Sequence, residues 1–437
     1  MPPKQTSHND LLDMSNTLRK PLRVLISGAG IGGPVLAYWL GKAGVSVTLL
    51  ERADRLRKEG QTVDIDDEAR TIVKWMGVED AIRKVTTKEA GLKFVDSRNK
   101  IRASFPQSNE GTSPTSEFEI VRGELANVFY EATRDDTNYI FGDSIASIQD
   151  TEKGAQVAFA SDTRSTREYD LVVVAEGLAS RTRALAFDED MRAPIHALHM
   201  WVASFSFAQG KTDDQWARMY NATNRRGLLI RPDGFGRVRA NVMFIDKSDT
   251  MQAIAGSRDQ TKIKEHFVNL FNGVGWETER ILHALRDSDD FYLQEMAQAK
   301  CKTWSKGRVV LVGDTAYGPS PISGNGTTAA IIGSYVLAAE IIKHQDDHRA
   351  AFTAYEATLR PWIEDIQKIF PGAPDIGLPE TQGGIGVLHT FLSVLAFAVR
   401  TGAFDLLSNL GAFGKRLSGS VQQKLKLPDP SVFERSS

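Results

Sequence analysis

The residues in this chain whose types and spacing could do chemistry are a run of glycines and one carboxylate. Ser27-Gly28-Ala29-Gly30-Ile31-Gly32-Gly33 follows the apolar segment Leu22 to Ile26, and Glu51 stands roughly twenty residues beyond. Gly28 permits a tight turn, Gly30 lets the backbone approach a pyrophosphate, and Gly33 lets a helix pack close to the preceding strand. The phosphates would then rest on free N–H groups at the positive end of that helix. A carboxylate at Glu51 accepts hydrogen bonds from an adenosine ribose and disfavours a 2′-phosphate, so FAD or NAD is expected there rather than NADP.

These residues need a scaffold of strand, turn, helix and strand, and Leu22 to Glu51 reads as that unit. Two further turns follow buried-looking strands much later. Asp170 to Val174 runs into Ala175-Glu176-Gly177, with Ser180 to Arg183 behind it, and Arg308 to Val312 runs into Gly313-Asp314. After Asp314 a loop containing Pro321, Gly324, Asn325 and Gly326 feeds a long apolar helix from about Thr327. Asp314 ends an apolar strand, where an unpartnered carboxylate would be costly, so a ligand there is expected.

Composition sets the outer limits. With 437 residues, 41% hydrophobic and 25% charged, the chain reads as an ordinary globular protein of two or three lobes. A formal net charge of -2 offers no basic field for nucleic acid. The single cysteine, Cys301, excludes an intrachain disulfide, and the eight histidines show no metal-binding spacing, so no metal is expected. His196 and His199 lie on a segment read as strand and should point to opposite faces. The first 21 residues lack the apolar stretch of a secretory signal and are expected to form a disordered tail. Leu392 to Val399 is the longest apolar run near the C-terminus and is too short to span a bilayer, so no transmembrane segment is expected.

Along the chain, GQTVDID (Gly60 to Asp66) alternates like a short strand, and Asp67 to Met76 is helical in pattern. Residues 92–105 suggest a hairpin around Ser97-Arg98-Asn99. Phe118 to Thr133 begins extended and turns helical at Arg122. Tyr139-Ile140, Ser144 to Ile148 and Gln156 to Phe159 read as a meander. Two long β-like runs between Ile195 and Phe244 suggest a second, substrate-facing lobe. Trp201, Phe205, Phe207, Tyr220, Met243 and Phe244 in it are candidates for an apolar pocket or for ordinary core. Val387 to Leu407 reads as helical, ahead of a basic, polar end.

The three turns, in this order, resemble those of the flavoprotein aromatic hydroxylases, the para-hydroxybenzoate hydroxylase-like FAD monooxygenases, and among these the tetracycline-modifying type. The resemblance runs from about Leu22 to Trp362. It implies a Rossmann-like α/β FAD-binding domain (22–90, 118–185 and 300–370), an interleaved β-sheet substrate domain (91–117 and 186–299) and a C-terminal helical region (371–437). It implies non-covalent FAD held by Gly28, Gly30, Gly33, Glu51 with Arg52 beside it, Arg122, Asp314, Pro321, Gly324 and Gly326. Three positions depart from the family pattern: Glu176 replaces an aspartate, Tyr317 a histidine and Thr328 an asparagine. Arg122 also fits a surface helix start, Pro321 ordinary turn chemistry, and Asp64 either a flavin–substrate boundary or a solvated strand.

The activity so implied is NAD(P)H- and O₂-consuming hydroxylation of an aromatic or polycyclic small molecule through a flavin C4a-hydroperoxide, in the cytoplasm, with NAD(P)H docking transiently. No catalytic base can be picked out. An epoxidase, an oxidase, a Baeyer–Villiger-type enzyme and a catalytically silent FAD-binding partner protein stay open as alternatives; the W-x-W-x-I-P signature of flavin halogenases is absent.

Overall fold

The computed structural model describes residues 21–57, 60–108, 115–401 and 425–434, so the expectations for the N-terminal tail and for 402–407 fall outside it. A six-stranded sheet runs in the order Ser305–Lys306, Val309–Leu311, Leu171–Val174, Arg23–Ser27, Ser46–Glu51 and Asn138–Phe141, parallel apart from the first. Its central strands Leu171–Val174 and Val309–Leu311 and the buried part of Arg23–Ser27 are almost wholly apolar because both faces are covered. Helices Gly32–Lys42 and Gly326–Lys343 pack against it, and the antiparallel trio Ile145–Asp150, Ala155–Phe159 and Asp162–Tyr169 joins the same core. Tyr139 and Ile140, expected in that meander, instead extend the parallel sheet by pairing with Leu49 and Leu50. Period-two patterning marks a strand without naming its partner.

A seven-stranded sheet forms the second layer system, ordered Tyr292–Ala299, Ile195–Ala208, Arg237–Ile245, Arg226–Pro232, Trp216–Ala222, Gly91–Val95 and Ile101–Pro106. The expected hairpin near Ser97-Arg98-Asn99 supplies its last two strands. Helices Asp249–Gly256, Gln260–Phe271 and Thr278–Asp287 cover one face through Phe267, Phe271, Ile281 and Leu285. The strands Thr62–Val63 and Ile120–Val121 pair between the two large sheets. Strand Ile195–Ala208 is irregular between Ala197 and Trp201, where His199 takes φ 56°, so simple alternation does not place its two histidines.

The C-terminal helix runs Gln382–Arg400, starting earlier than expected because the Thr381 hydroxyl caps it by accepting from Gly384 N. At 19 residues it is long and apolar enough to cross a membrane, which the eight-residue run in the sequence did not suggest.

Packing at the first turn leaves no room for side chains. A Cβ on Gly28, at φ 115°, would sit 2.4 Å from the Ala175 carbonyl oxygen, and one on Gly33 would sit 2.0 Å from that of Gly28. Gly33→Ala should cost about 3 kcal/mol in urea unfolding. Gly41→Ala, in the same helix with open space around its Cβ, should be neutral or stabilising by up to about 1 kcal/mol.

Candidate functional site

Register decides where the chemistry-bearing turns meet. Ser27 lies beside Val174 and Leu50, and Val174 beside Leu311, so the three strands end level and their turns lie side by side. The turns are joined by hydrogen bonds as well as by contact. Gly177 N donates to Thr315 Oγ at 2.9 Å, and buried Arg183 donates to the Thr315 carbonyl at 2.9 Å. Ala29 N and Ala53 N donate to the two Glu51 carboxylate oxygens at 2.9 and 3.0 Å, which fixes that carboxylate at the first turn with acceptor capacity to spare. Arg52 is exposed next to it.

Arg122 opens the helix Arg122–Glu131, and its backbone N donates to Gln61 O. Its guanidinium reaches the Gly30 backbone: a Cβ there would meet Nη2 at 3.3 Å. Asp314 begins the short helix Asp314–Tyr317 and stays accessible from the cleft although protein rings it. That enclosure pushes its carboxyl pKa up, opposed by the positive Arg122. No hydrogen bond or ion pair among the described residues holds either group. A Cβ on Gly326 would meet Asp314 Oδ1 at 3.8 Å, so the third turn borders the same space, with Pro321 and Gly324 exposed on it. The sequence-identified residues are thus gathered around one cleft. An accessible carboxylate and guanidinium facing across bare glycine backbone fit the pyrophosphate and sugar of a dinucleotide.

The three departures from the family pattern have local reasons. Glu176, longer than an aspartate, accepts from Ser27 and Ser180 hydroxyls and from Thr182 N. Tyr317 is buried against Tyr355, hydroxyl to hydroxyl at 2.9 Å. Thr328 Oγ accepts from Asp66 N.

The seven-stranded sheet supplies the opposite wall. Trp201, Phe205, Phe207, Tyr220 and Phe244 point to the covering helices, so of the two alternatives for them the ordinary-core one holds. Only Met243 of that set lies on the other face, with Val202, Met219, Ile245, Met296, Met200 and Leu229, and Leu378 is seated among them. Where this face meets the cleft, Gln61 Nε2 donates to Gln294 Oε1 at 2.5 Å and Ser204 Oγ to Asn241 Oδ1 at 2.6 Å. Tyr292 hydrogen-bonds Ser204 and Gln61 near the charges of Arg122 and Arg239; burial pushes its phenol pKa up, so it stays protonated. Tyr292, Gln294, Gln61, Asn241 and Arg239 carry no local motif, and only the fold assembles them. A different cavity, about 750 Å³, opens behind Tyr317 between Cys301, Trp304, Arg360 and Phe370, lined by Ala316 and Tyr317 from the rear of the third turn.

Asp64 is half-buried and hydrogen-bonded, unlike a free strand aspartate. Buried Arg231 pairs with Glu119 at 2.5 Å and Glu89 at 3.1 Å and donates to Thr62, while Ser116 hydrogen-bonds Asp64. Burial, then the nearby Glu119 charge, pushes Asp64 up to about 7. Glu89 and Glu119 are also raised by burial, against the pull of Arg231. This cage ties the Thr62–Val63 and Ile120–Val121 strands to the seven-stranded sheet.

Comparison with known proteins agrees with this geometry. Residues 21–367 match the family described as FAD binding domain. Monooxygenase CTB7 of Cercospora beticola is 36% identical over 423 residues, 93% of this chain and 97% of that protein. The flavin-dependent monooxygenase eupH of Phoma sp. is 34% identical over 86% of this chain and 92% of its own. The crystal structure of tetracycline destructase Tet(51) superposes with a TM-score of 0.72 at 27% identity, covering 94% of this chain and all of that one.

Two outcomes follow from the site. In Gly30→Ala the new methyl meets only the mobile end of Arg122, so the fold should hold while FAD affinity falls roughly tenfold, about 1.4 kcal/mol, by fluorescence titration. A carboxyl with a raised folded pKa gives stability that is complete below its ordinary range and lost as pH rises through the folded value. The melting temperature of Asp64→Asn relative to wild type should therefore climb between pH 5 and about pH 7 and level off above.

Proposed function

The chain belongs to the FAD-binding family of flavoprotein monooxygenases, and on that footing we propose that it hydroxylates an apolar aromatic or polycyclic small molecule. The balance is substrate, O₂, NAD(P)H and a proton giving hydroxylated substrate, NAD(P)⁺ and water. One observation supports the reading: the three strands end level, and their turns lie beside a sheet whose near side presents Tyr292 and Gln294 next to a methionine-rich apolar cluster, Met219, Met243 and Met296.

In this reading Gly28, Gly30 and Gly33 cradle the pyrophosphate, Glu51 takes the adenosine ribose with Arg52 at the rim, and Arg122 and Asp314 face the ribityl-phosphate stretch. Pro321, Gly324 and Gly326 border the ring system, whose reduced form carries the activation of O₂. Amides at the start of helix Gly326–Lys343 stabilise negative charge arising next to them. Met200, Val202, Met243 and Met296 give a dry, adaptable wall for a rigid polycyclic body. Tyr292, protonated, donates from its hydroxyl, and the Ser204–Asn241 pair offers a further polar anchor.

The test uses the purified holoprotein with NADH or NADPH and a panel of phenols and polyketide-type polycycles under isotopically labelled O₂. The expected result is substrate-stimulated NAD(P)H oxidation and a product bearing one labelled oxygen. Oxidised product without label points to an oxidase, and labelled epoxide, ester or lactone to epoxidation or Baeyer–Villiger insertion. Bound FAD that NAD(P)H cannot reduce with any candidate present would overturn the enzymatic reading.

A further inference from the structure

Among the described residues, the helix Gln382–Arg400 is packed along one side only. Ile385 and His389 are buried, and Ser393 donates to the Arg102 carbonyl on edge strand Ile101–Pro106. The opposite side carries Val387, Phe391, Val394 and Phe397, exposed by 73, 49, 64 and 58%. Steps of four, three and three residues keep these side chains on one face across three turns. Isolated exposed apolar residues are normal on a protein surface, but an aligned stripe of two phenylalanines and two valines marks a contact surface.

Charge narrows the choice of partner. The helix contains no Asp or Glu and ends in Arg400, and the adjoining hairpin adds Arg98, Lys100 and Arg102. The acids nearby are already engaged: Asp96 with Arg102 at 2.7 Å, Asp375 with Arg225 at 2.6 Å and Glu380 with Arg225 at 3.1 Å. The Asp96 pair also neutralises Arg102, which leaves Arg98, Lys100 and Arg400 without an ion pair among the described residues, and an apolar stripe bordered by such cations is the pattern of a helix lying in the headgroup region of an anionic bilayer. A spanning helix would have to expose its other side to lipid as well, and that side is packed on the sheet edge.

We propose that this face docks the protein on an anionic phospholipid surface, with the Gln382–Arg400 helix lying in the plane of the membrane. The docked face is continuous with the catalytic lobe. The segment just before the helix sets Leu378 onto Met219 and Met243, and Asn221 donates to Gly377 O at 2.8 Å. Docking therefore brings the methionine-lined wall close to lipid, where an apolar substrate would be dissolved; this last link rests on the proposed hydroxylation, the docking does not.

The test is co-sedimentation of the FAD-loaded protein with phosphatidylcholine vesicles containing or lacking phosphatidylserine. Wild type should pellet with the phosphatidylserine vesicles and less with neutral ones, and F391S/F397S should lower the partition on the order of tenfold. Leu185→Ser, an equally exposed apolar residue far along the chain, should bind as wild type. Tryptophan emission of Phe391→Trp should shift to the blue on adding vesicles. Bound FAD and its reduction by NAD(P)H should be unchanged in every variant, which keeps a failure of docking separate from a failure of catalysis. The proposal is overturned if wild type stays in the supernatant or F391S/F397S pellets like wild type. A wild-type dimer in light scattering that this double variant dissolves would also overturn it, in favour of a second copy of the chain.

Discussion

The constraint on which everything else depends is the close approach of backbone to backbone at the ends of three neighbouring parallel strands. Gly28 lies against the Ala175 carbonyl, and Gly33 lies against Gly28 itself, at distances a Cβ would not allow. Because Arg23–Ser27, Leu171–Val174 and Val309–Leu311 end level, the turns after them form one continuous rim. The Gly177–Thr315 bond and the Arg183 clamp on Thr315 hold that rim from behind, and Asp314 is aimed into the cleft as a consequence. The accessible Arg122 and Asp314 are stable there because the cleft admits water, or a ligand that replaces it.

The two faces of the seven-stranded sheet show how alternation divides labour. Along Ile195–Ala208, Trp201, Phe205 and Phe207 go to the helices, while Val202 and Ser204 go toward the cleft. Large aromatic rings fill the core between the seven-stranded sheet and its helices. Methionines gather on the other side, packed around Leu378. The Arg231 cage then locks the seven-stranded sheet to the strands Thr62–Val63 and Ile120–Val121, next to which Gln61 and Arg122 stand.

What the sequence disclosed, and what it withheld, follows from the range of the interactions involved. The glycine turn and Glu51 lie within thirty residues and obey local rules, so their meeting at the end of the first strand could be read directly. Arg122, Asp314, Pro321, Gly324 and Gly326 were legible through their order along the chain, and the structure gathers them at one cleft. Which side of a strand faces the cleft was not legible, because alternation is symmetric; that is why five aromatics now packed under the covering helices stood as candidates for either pocket or core. Tyr292 and Gln61 are 231 positions apart, and Asp64, Glu89, Glu119 and Arg231 come from four separate segments. Nothing local announces such pairings. The C-terminal helix was foreseen, but its one-sided packing depends on an edge strand nearly 300 residues earlier.

The most direct measurement is the electron density of FAD in crystals of the loaded protein. The account expects the adenosine ribose at Glu51, the pyrophosphate between Gly30 and Arg122, and the ring system beside Pro321 to Gly326, facing Met243 and Tyr292. A ring system directed away from the methionine-lined face, or FAD bound without contact to Arg122 and Asp314, would contradict it.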